Sequence, residues 1–302
     1  MADLLGRRLR TKLNERRGLL VPGAPNALAG RVIADLGFEA VYVTGAGVTN
    51  MLLALPDLGF ISLPELAQHV TAIREAVEIP IIVDADTGFG NALNVRHAVR
   101  LLERAGANAI QLEDQVMPKR CGHFSGKEVI PLEDMTGKLR AAVDARRDDD
   151  FLIIARTDAR AVFGFDAAIE RAGRFIEAGA DATFVEAPES LGEMKRIPEL
   201  LPVPQVANMV IGGKTPILSL AELAEMRFGL VLYANAALQG AIAGMQAALR
   251  ELKSMGRLDE SSPTVAPFSE RQRLVRKPVF DDLERKYAYR QKNDAVGGDS
   301  KD

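Results

Sequence analysis

Short, continuously apolar runs recur along this chain. Each is followed by a longer stretch whose apolar residues fall three or four apart. The runs cover 18–22, 40–44, 80–84, 109–113, 151–156, 182–186, 205–209 and 230–233. Unbroken apolarity over so few residues is what a strand shows when helices cover both its faces. The longer stretches cover 26–36, 63–77, 91–104, 132–146, 166–178, 191–201, 220–226 and 236–255, and their spacing predicts helices.

The joints agree with this alternation. Ala105-Gly106-Ala107-Asn108-Ala109 and Ala178-Gly179-Ala180-Asp181-Ala182 share one form, with glycine ending a helix just before a strand. Ser62-Leu63-Pro64-Glu65 and Ser219-Leu220-Ala221-Glu222 read as capping boxes. Eight strand–helix units in roughly 250 residues predict an α/β fold, a closed (β/α)8 barrel. A doubly wound open sheet is the second choice, but it usually has fewer strands. The barrel is expected over 1–256, a C-terminal helical extension over 257–292 and a disordered tail over 293–302. Within the extension, 257–267 reads as a linker and 269–287 as a helix broken near Pro278.

Composition narrows the class. The apolar share of 47% fits a full globular core, and a net charge of −3 without a basic stretch argues against nucleic acid. The chain has a single cysteine, Cys121, which excludes an internal disulfide and suits a reducing compartment, so a cytoplasmic location is expected. No apolar run is long enough to cross a membrane, and the Arg-rich N-terminus lacks a signal-peptide core.

In such a barrel the chemistry sits where the strands end. Those ends hold Tyr42 and Thr44, Asp84 and Asp86, Glu113, Arg156, Glu186, and Asn208. Asp84, Asp86 and Glu113 come from adjacent strands. They either share a divalent ion or pair with Arg156 and Lys119. All-oxygen ligands favour Mg2+, with Mn2+ as the alternative. After Glu113 the chain runs into Lys119-Arg120-Cys121-Gly122-His123. A lone thiol beside two cations suits a proton donor or nucleophile. The other reading is a small buried residue. Gly122 and Gly126 give this loop the freedom of a lid. His123 either hydrogen-bonds a substrate oxygen or is structural.

Together, Asp84-Ala85-Asp86-Thr87-Gly88-Phe89-Gly90, Glu113-Asp114-Gln115 and Lys119-Arg120-Cys121-Gly122-His123 resemble the isocitrate lyase/phosphoenolpyruvate mutase superfamily. Ala155-Arg156-Thr157-Asp158-Ala159, Ala207-Asn208-Met209 and Gly212-Gly213-Lys214-Thr215-Pro216 extend the resemblance. It implies a (β/α)8 barrel that binds Mg2+, a last helix exchanged between subunits, and a homotetramer. It puts Asp84 and Asp86 at the metal, with Asp57 and Glu113 nearby and reaching it partly through water. It assigns a substrate carboxylate to Thr44, Gly45, Ala46 and Asn208, substrate oxygens to Arg156, and a place in the site to Gly122 and Glu186. Cys121 becomes the general acid on a closing loop, and Tyr42 helps to remove a hydroxyl proton.

The cysteine in that loop favours the carbon–carbon lyases, which cleave small 2-hydroxy or 2-oxo dicarboxylates. Carboxyphosphonoenolpyruvate mutases share the loop and stay as an alternative, as do methylisocitrate lyases and a catalytically silent metabolite binder. In methylisocitrate lyases an arginine follows strand eight; the equivalent residue here is Gln239. Pro267-Phe268-Ser269-Glu270 also resembles the dimethylmalate and petal-death branch, although Arg271 and Arg273 stand close by as possible cations. The expected substrates are therefore alkyl-substituted malates or oxaloacetate.

Overall fold

Chain order and pairing follow from the alternating pattern. A computed structural model describes residues 2–120 and 126–288. The elements begin with α1 (Ala2–Glu15), β1 (Leu19–Ala24), α2 (Ala27–Asp35), β2 (Val41–Val43), α3 (Gly45–Leu53), α4 (Leu63–Ala76) and β3 (Ile81–Asp84). Next come α5 (Ala92–Arg104), β4 (Ala109–Glu113), α6 (Leu132–Ala145), β5 (Leu152–Thr157), α7 (Ala159–Phe163), α8 (Phe165–Glu177) and β6 (Ala182–Val185). Then follow α9 (Leu191–Leu200), β7 (Val206–Asn208), α10 (Leu220–Glu225), β8 (Leu230–Tyr233), α11 (Ala236–Met255), α12 (Phe268–Leu274) and α13 (Lys277–Tyr287).

β1 to β6 pair in parallel each with the next, β7 pairs with β8 and β8 with β1. The seam between β6 and β7 is joined by a bridge from Thr183 to Gln205. There the Thr183 hydroxyl donates to Gln205 Oε1 at 2.8 Å. This is the (β/α)8 barrel; an open doubly wound sheet would leave two unpaired edges.

The barrel interior is packed with side chains, among them Val21, Ile82, Ile154, Phe184 and Leu230. Leu9 and Leu13 of α1 belong to the same cluster and are buried. Spaced four apart, they present one helix face, while Arg10 on the flank bonds Asp181 at 2.8 Å. Gly23 is where β1 meets the exit of β8. A Cβ there would lie 1.9 Å from the Ala234 carbonyl oxygen, so only glycine lets the strands close at this point.

The chain divides into two compact units, Met1–Ala247 and Ala248–Asp302. The division falls inside α11, earlier than the expected 256. In the second unit Glu251 Oε2 accepts the hydroxyls of Ser262 and Thr264 at 2.7 and 2.9 Å. The expected break in the last helix lies at Arg276, which is left-handed (φ 56°). Pro278 stands in the first turn of α13, where its missing N–H leaves no bond unmade. The tail at 293–302 lies outside the described residues.

α11 carries Ile242, Met245, Leu249 and Leu252 exposed, three and four residues apart. In α13, Phe280, Leu283 and Tyr287 repeat that spacing, also exposed. No helix among the described residues is long and apolar enough to cross a membrane.

Candidate active site at the strand ends

Strand register brings the expected residues together. Asp84 stands opposite Gln111, Glu113 opposite Arg156, and Arg156 opposite Phe184. Tyr42, Thr44, Ala46, Asp57, Asp84, Glu113, Arg156, Glu186 and Asn208 line one cleft. Gly45 and Asp86 join it through their contacts with Asp84 and Lys119.

The acids crowd around Gly45. Asp84 Oδ2 and Asp86 Oδ1 each lie 3.3 Å from the point a Gly45 Cβ would occupy. The Gly45 amide donates to Asp84 Oδ2 at 3.4 Å. Lys119 enters from the other side, with Nζ 2.5 Å from Asp57 Oδ1 and 2.9 Å from Asp86 Oδ1. Asp86 Oδ1 is thus met by the ammonium, whereas Glu113 Oε1 is buried without a hydrogen-bond donor.

Charge is out of balance here. Burial pushes the Asp86 carboxyl up to about 6, against the pull of Lys119. Burial likewise lifts Glu113 well above the usual carboxylate range, against Arg156. For Lys119, burial alone would lower the ammonium; Asp86, Asp84, Glu113 and Asp57 raise it instead. One ammonium among four carboxylates leaves two carboxyls with raised values and Glu113 Oε1 without a donor.

Among the described residues no three His, Cys, Asp or Glu side chains are set to hold an ion directly. Lys119, placed between Asp57 and Asp86, accounts for that. Asp84 and Asp86, gathered at Gly45, and the donorless Glu113 Oε1 are an all-oxygen set whose chemistry fits a small hard cation.

Arg156 is the second centre. Its Nε and Nη2 bond Asp158 at 2.9 and 3.1 Å, and Nε lies 3.4 Å from Glu113. Its Nη2 is 3.7 Å from Glu186, and the guanidinium stacks over Phe184 at 5.2 Å. Burial would lower Arg156, but Asp158, Glu186 and Glu113 hold it well above its usual value. Lys127 completes the group at 2.6 Å from Asp158. Glu186 accepts the Asn208 amide at 3.5 Å, and Asn208 Oδ1 is buried without a partner. Asp114, next to Glu113, points into the scaffold: it accepts Thr157, the Asp158 amide and Arg171 at 2.7 to 3.0 Å.

Tyr42 lines the cleft and is tied to Asp84 through Gln111. Its hydroxyl donates to Gln111 Oε1 at 2.8 Å, and the Gln111 amide reaches Asp84 Oδ1 at 3.3 Å. Burial, then the charge on Asp84, raises the phenol well above its usual value. In this structure the Tyr42 proton rests on Gln111, beside the acids of the cleft.

Cys121, Gly122 and His123 lie outside the described residues. The chain on either side of them is anchored. Val116 and Ile130 amides donate to Glu128 and Asp114 carbonyls at 2.9 and 2.8 Å. Gln115 holds the Arg120 backbone from both sides, accepting its N–H and donating to its carbonyl, each at 2.8 Å. Phe184 lines the cleft and Gln111 bonds two of its lining residues, Tyr42 and Asp84, without either having been expected there. Each lies two residues before an expected site residue, Glu113 or Glu186, so strand alternation alone would have placed them on the same face.

The sequence matches the phosphoenolpyruvate phosphomutase family over residues 9–253. It is 44% identical to 2,3-dimethylmalate lyase of Eubacterium barkeri over 93% of this chain and 97% of that one. With 2-methylisocitrate lyase of Aeropyrum pernix it shares 46% over 82% and 80%. The solved 2,3-dimethylmalate lyase superposes with a TM-score of 0.87 at 32% identity, covering 93% and 95%. A phosphonopyruvate hydrolase solved with oxalate and Mg2+ gives 0.84 at 30%, covering 93% and 98%. The chain belongs to the phosphoenolpyruvate mutase/isocitrate lyase superfamily, as an enzyme of its carbon–carbon lyase group.

Proposed function

We propose that this chain is a divalent-cation-dependent lyase that splits a small 2-hydroxy or 2-oxo dicarboxylate, such as an alkyl-substituted malate or oxaloacetate. One observation carries the reading: a cluster of carboxylates with too few cations, Glu113 Oε1 buried without a donor among them, shares one cleft at the strand ends with a buried, charged Arg156. Asp84 and Asp86 would hold the cation, with Asp57 and Glu113 nearby. Mg2+ is the favoured ion, as in the phosphonopyruvate hydrolase complex, and Mn2+ the alternative. Once bound, it would polarise the hydroxy-acid end of the substrate.

The chain's own residues supply the rest. Arg156, oriented by Asp158, donates to substrate carboxylate oxygens. Thr44, Gly45 and Ala46 offer the N-terminus of α3 to the same group. Glu113 Oε1, buried and without a donor, accepts the hydroxyl proton. As C2 of a 2-hydroxy substrate becomes an oxo carbon, the C2–C3 electrons pass to C3, and Cys121 returns a proton there; a 2-oxo substrate first adds water at C2, and C2 of that hydrate leaves as a carboxyl carbon. The Tyr42 hydroxyl and Gln111 hold Asp84 in place throughout.

The cleft favours two substrate carboxylates over three. Its cations are Lys119, Arg120 and Arg156; Lys119 is engaged with Asp57 and Asp86, and Arg156 with Asp158. Gln239, where methylisocitrate lyases carry arginine, is exposed and outside the lining. A neutral amide in place of a buried cation forfeits roughly 2–5 kcal/mol of binding for a third carboxylate. The exposed apolar stripes of α11 and α13 support a homo-oligomer, a tetramer with exchanged C-terminal helices. The single cysteine supports a cytoplasmic location.

A substrate panel with pyruvate, oxalate and glyoxylate detection tests the reading. Alkyl malates or oxaloacetate should turn over at least about tenfold better in kcat/KM than 2-methylisocitrate, about 1.4 kcal/mol. The opposite ranking would assign the chain to the methylisocitrate lyases. Turnover only of a phosphonate would assign it to the mutases.

A further inference from the structure

We propose that Arg171, which stands outside the cleft lining, is a positioning residue: through Asp114 it fixes the exit of β5 and thereby aims Asp158 and the Arg156 guanidinium at a substrate carboxylate. This rests on the reading of Arg156 as the carboxylate-binding group and adds to it the device that orients that group.

Arg171 stands where an apolar residue is expected. The buried stripe of α8 is Ala168, Arg171, Ala172 and Phe175, three and four residues apart. The Arg171 side chain is 11% exposed, and its guanidinium lies over the Phe175 ring at 5.9 Å. A charge held there is costly unless it is paired and hydrogen-bonded. Its Nε donates to Asp114 Oδ2 at 3.0 Å, and its Nη2 to the Ile130 carbonyl at 2.8 Å. Asp114 owes its place to alternation at the end of β4. Glu113 enters the cleft, so the next residue faces the helices, where Asp114 is fully buried.

Asp114 passes the constraint to β5. Its Oδ1 accepts the Asp158 amide at 2.9 Å and its Oδ2 the Thr157 hydroxyl at 2.7 Å. Asp158 is the residue before α7, where an aspartate usually accepts the first helical amides. It makes no such bond; Thr157 Oγ1 takes the Ala159 amide at 3.2 Å. The Asp158 carboxylate instead turns back two residues, onto Nε and Nη2 of Arg156 at 2.9 and 3.1 Å. That paired grip sets the plane of the guanidinium and leaves its remaining donors for the cleft. Charge calls for Arg171 as well. Asp114 and Asp158 are neighbouring buried carboxylates and repel each other. Arg171 neutralises the first, so the second stays against Arg156.

Oxalate binding to the full-length protein with saturating Mg2+, read by calorimetric titration, tests this. Arg171→Lys keeps the charge but lacks the planar fork that reaches Asp114 and the Ile130 carbonyl together. It should bind oxalate about tenfold more weakly than the parent. In an Arg156→Lys background the same change should cost about twofold or less, because the group it orients is gone. Mn2+ affinity without oxalate, read by electron paramagnetic resonance, should stay within about twofold of the parent. Thr157→Val, a milder cut in the same chain, should weaken oxalate about threefold, and it decides the matter if Arg171→Lys does not fold. Equal cost of Arg171→Lys in the two backgrounds overturns the positioning role, as does parent-like oxalate affinity in the variants that fold. A parallel fall in Mn2+ affinity overturns it too, since the whole site has then lost order. Failure of the parent to bind oxalate overturns this inference and the reading of Arg156 together.

Discussion

Raising the pH of the cation-free protein should weaken its fold, and a divalent cation should restore it. In the folded chain Asp86 releases its proton near 6, whereas an unfolded aspartate does so near 3.8. Between those values the unfolded state has lost a proton that the folded state keeps, so stability falls as pH rises through that window. A shift of about two units corresponds to about 3 kcal/mol. With about 2.1 cal/mol/K of unfolding entropy per residue, that lowers the melting temperature by about 5 °C. Glu113, also raised, acts in the same direction and extends the window upward. Asp158, Glu193 and Glu39 are lowered, so their contribution is complete above the usual carboxylate range and does not cancel the slope. Calorimetry at about pH 5 and about pH 7.5, with EDTA and with saturating Mg2+, samples the upper part of that window, where Asp86 alone accounts for about 1.4 kcal/mol, or about 2 °C. The loss should appear in EDTA and shrink with Mg2+. A melting temperature in EDTA that holds or rises between those pH values would refute the picture of an undercompensated acid cluster.

Other outcomes test other parts. Gly45→Ala sets a methyl 3.3 Å from Asp84 Oδ2 and Asp86 Oδ1, so Mg2+ affinity by calorimetric titration should fall at least about tenfold with little loss of stability; unchanged affinity would place the ion elsewhere. Cys121→Ser should lose several orders of magnitude in cleavage yet still bind oxalate, because an alcohol is a far weaker acid than a thiol; parent-like turnover would remove Cys121 as the proton donor. Light scattering at micromolar concentration should give a tetramer, and replacing Leu249 and Leu252 with charged residues should dissociate it; a monomeric parent protein would end the assembly proposal.

Much of the barrel was legible because strands buried on both faces leave continuous apolar runs, and all eight lie where those runs stand. Gly106 and Gly179 end α5 and α8 with positive φ, and Ser62 and Ser219 cap their helices as read. Three helices were not anticipated. In α1 the apolar face is only Leu5, Leu9 and Leu13 within an Arg-rich stretch, and its meaning depends on a barrel end far along the chain. α3 opens on Gly-Ala-Gly, poor helix formers apart from alanine, and is short; α7 is shorter still. In the site, residue identities were readable but pairings were not. Which acids Lys119 meets depends on how a loop folds back across the cleft, and Tyr42's role depends on Gln111, a partner 69 positions away.

The neck beneath the Cys121 loop has a consequence for how such an enzyme can change. Gln115, Val129 and the backbone bonds from Val116 to Glu128 and from Ile130 to Asp114 fix where the excursion leaves the barrel and where it returns. These bonds are made by residues outside 121–125, and the positions of Arg156 and Glu113 follow from strand register. A substitution within 121–125 therefore changes the proposed proton donor without removing any of them. New reactions on this scaffold can then arise from changes in one short stretch of sequence.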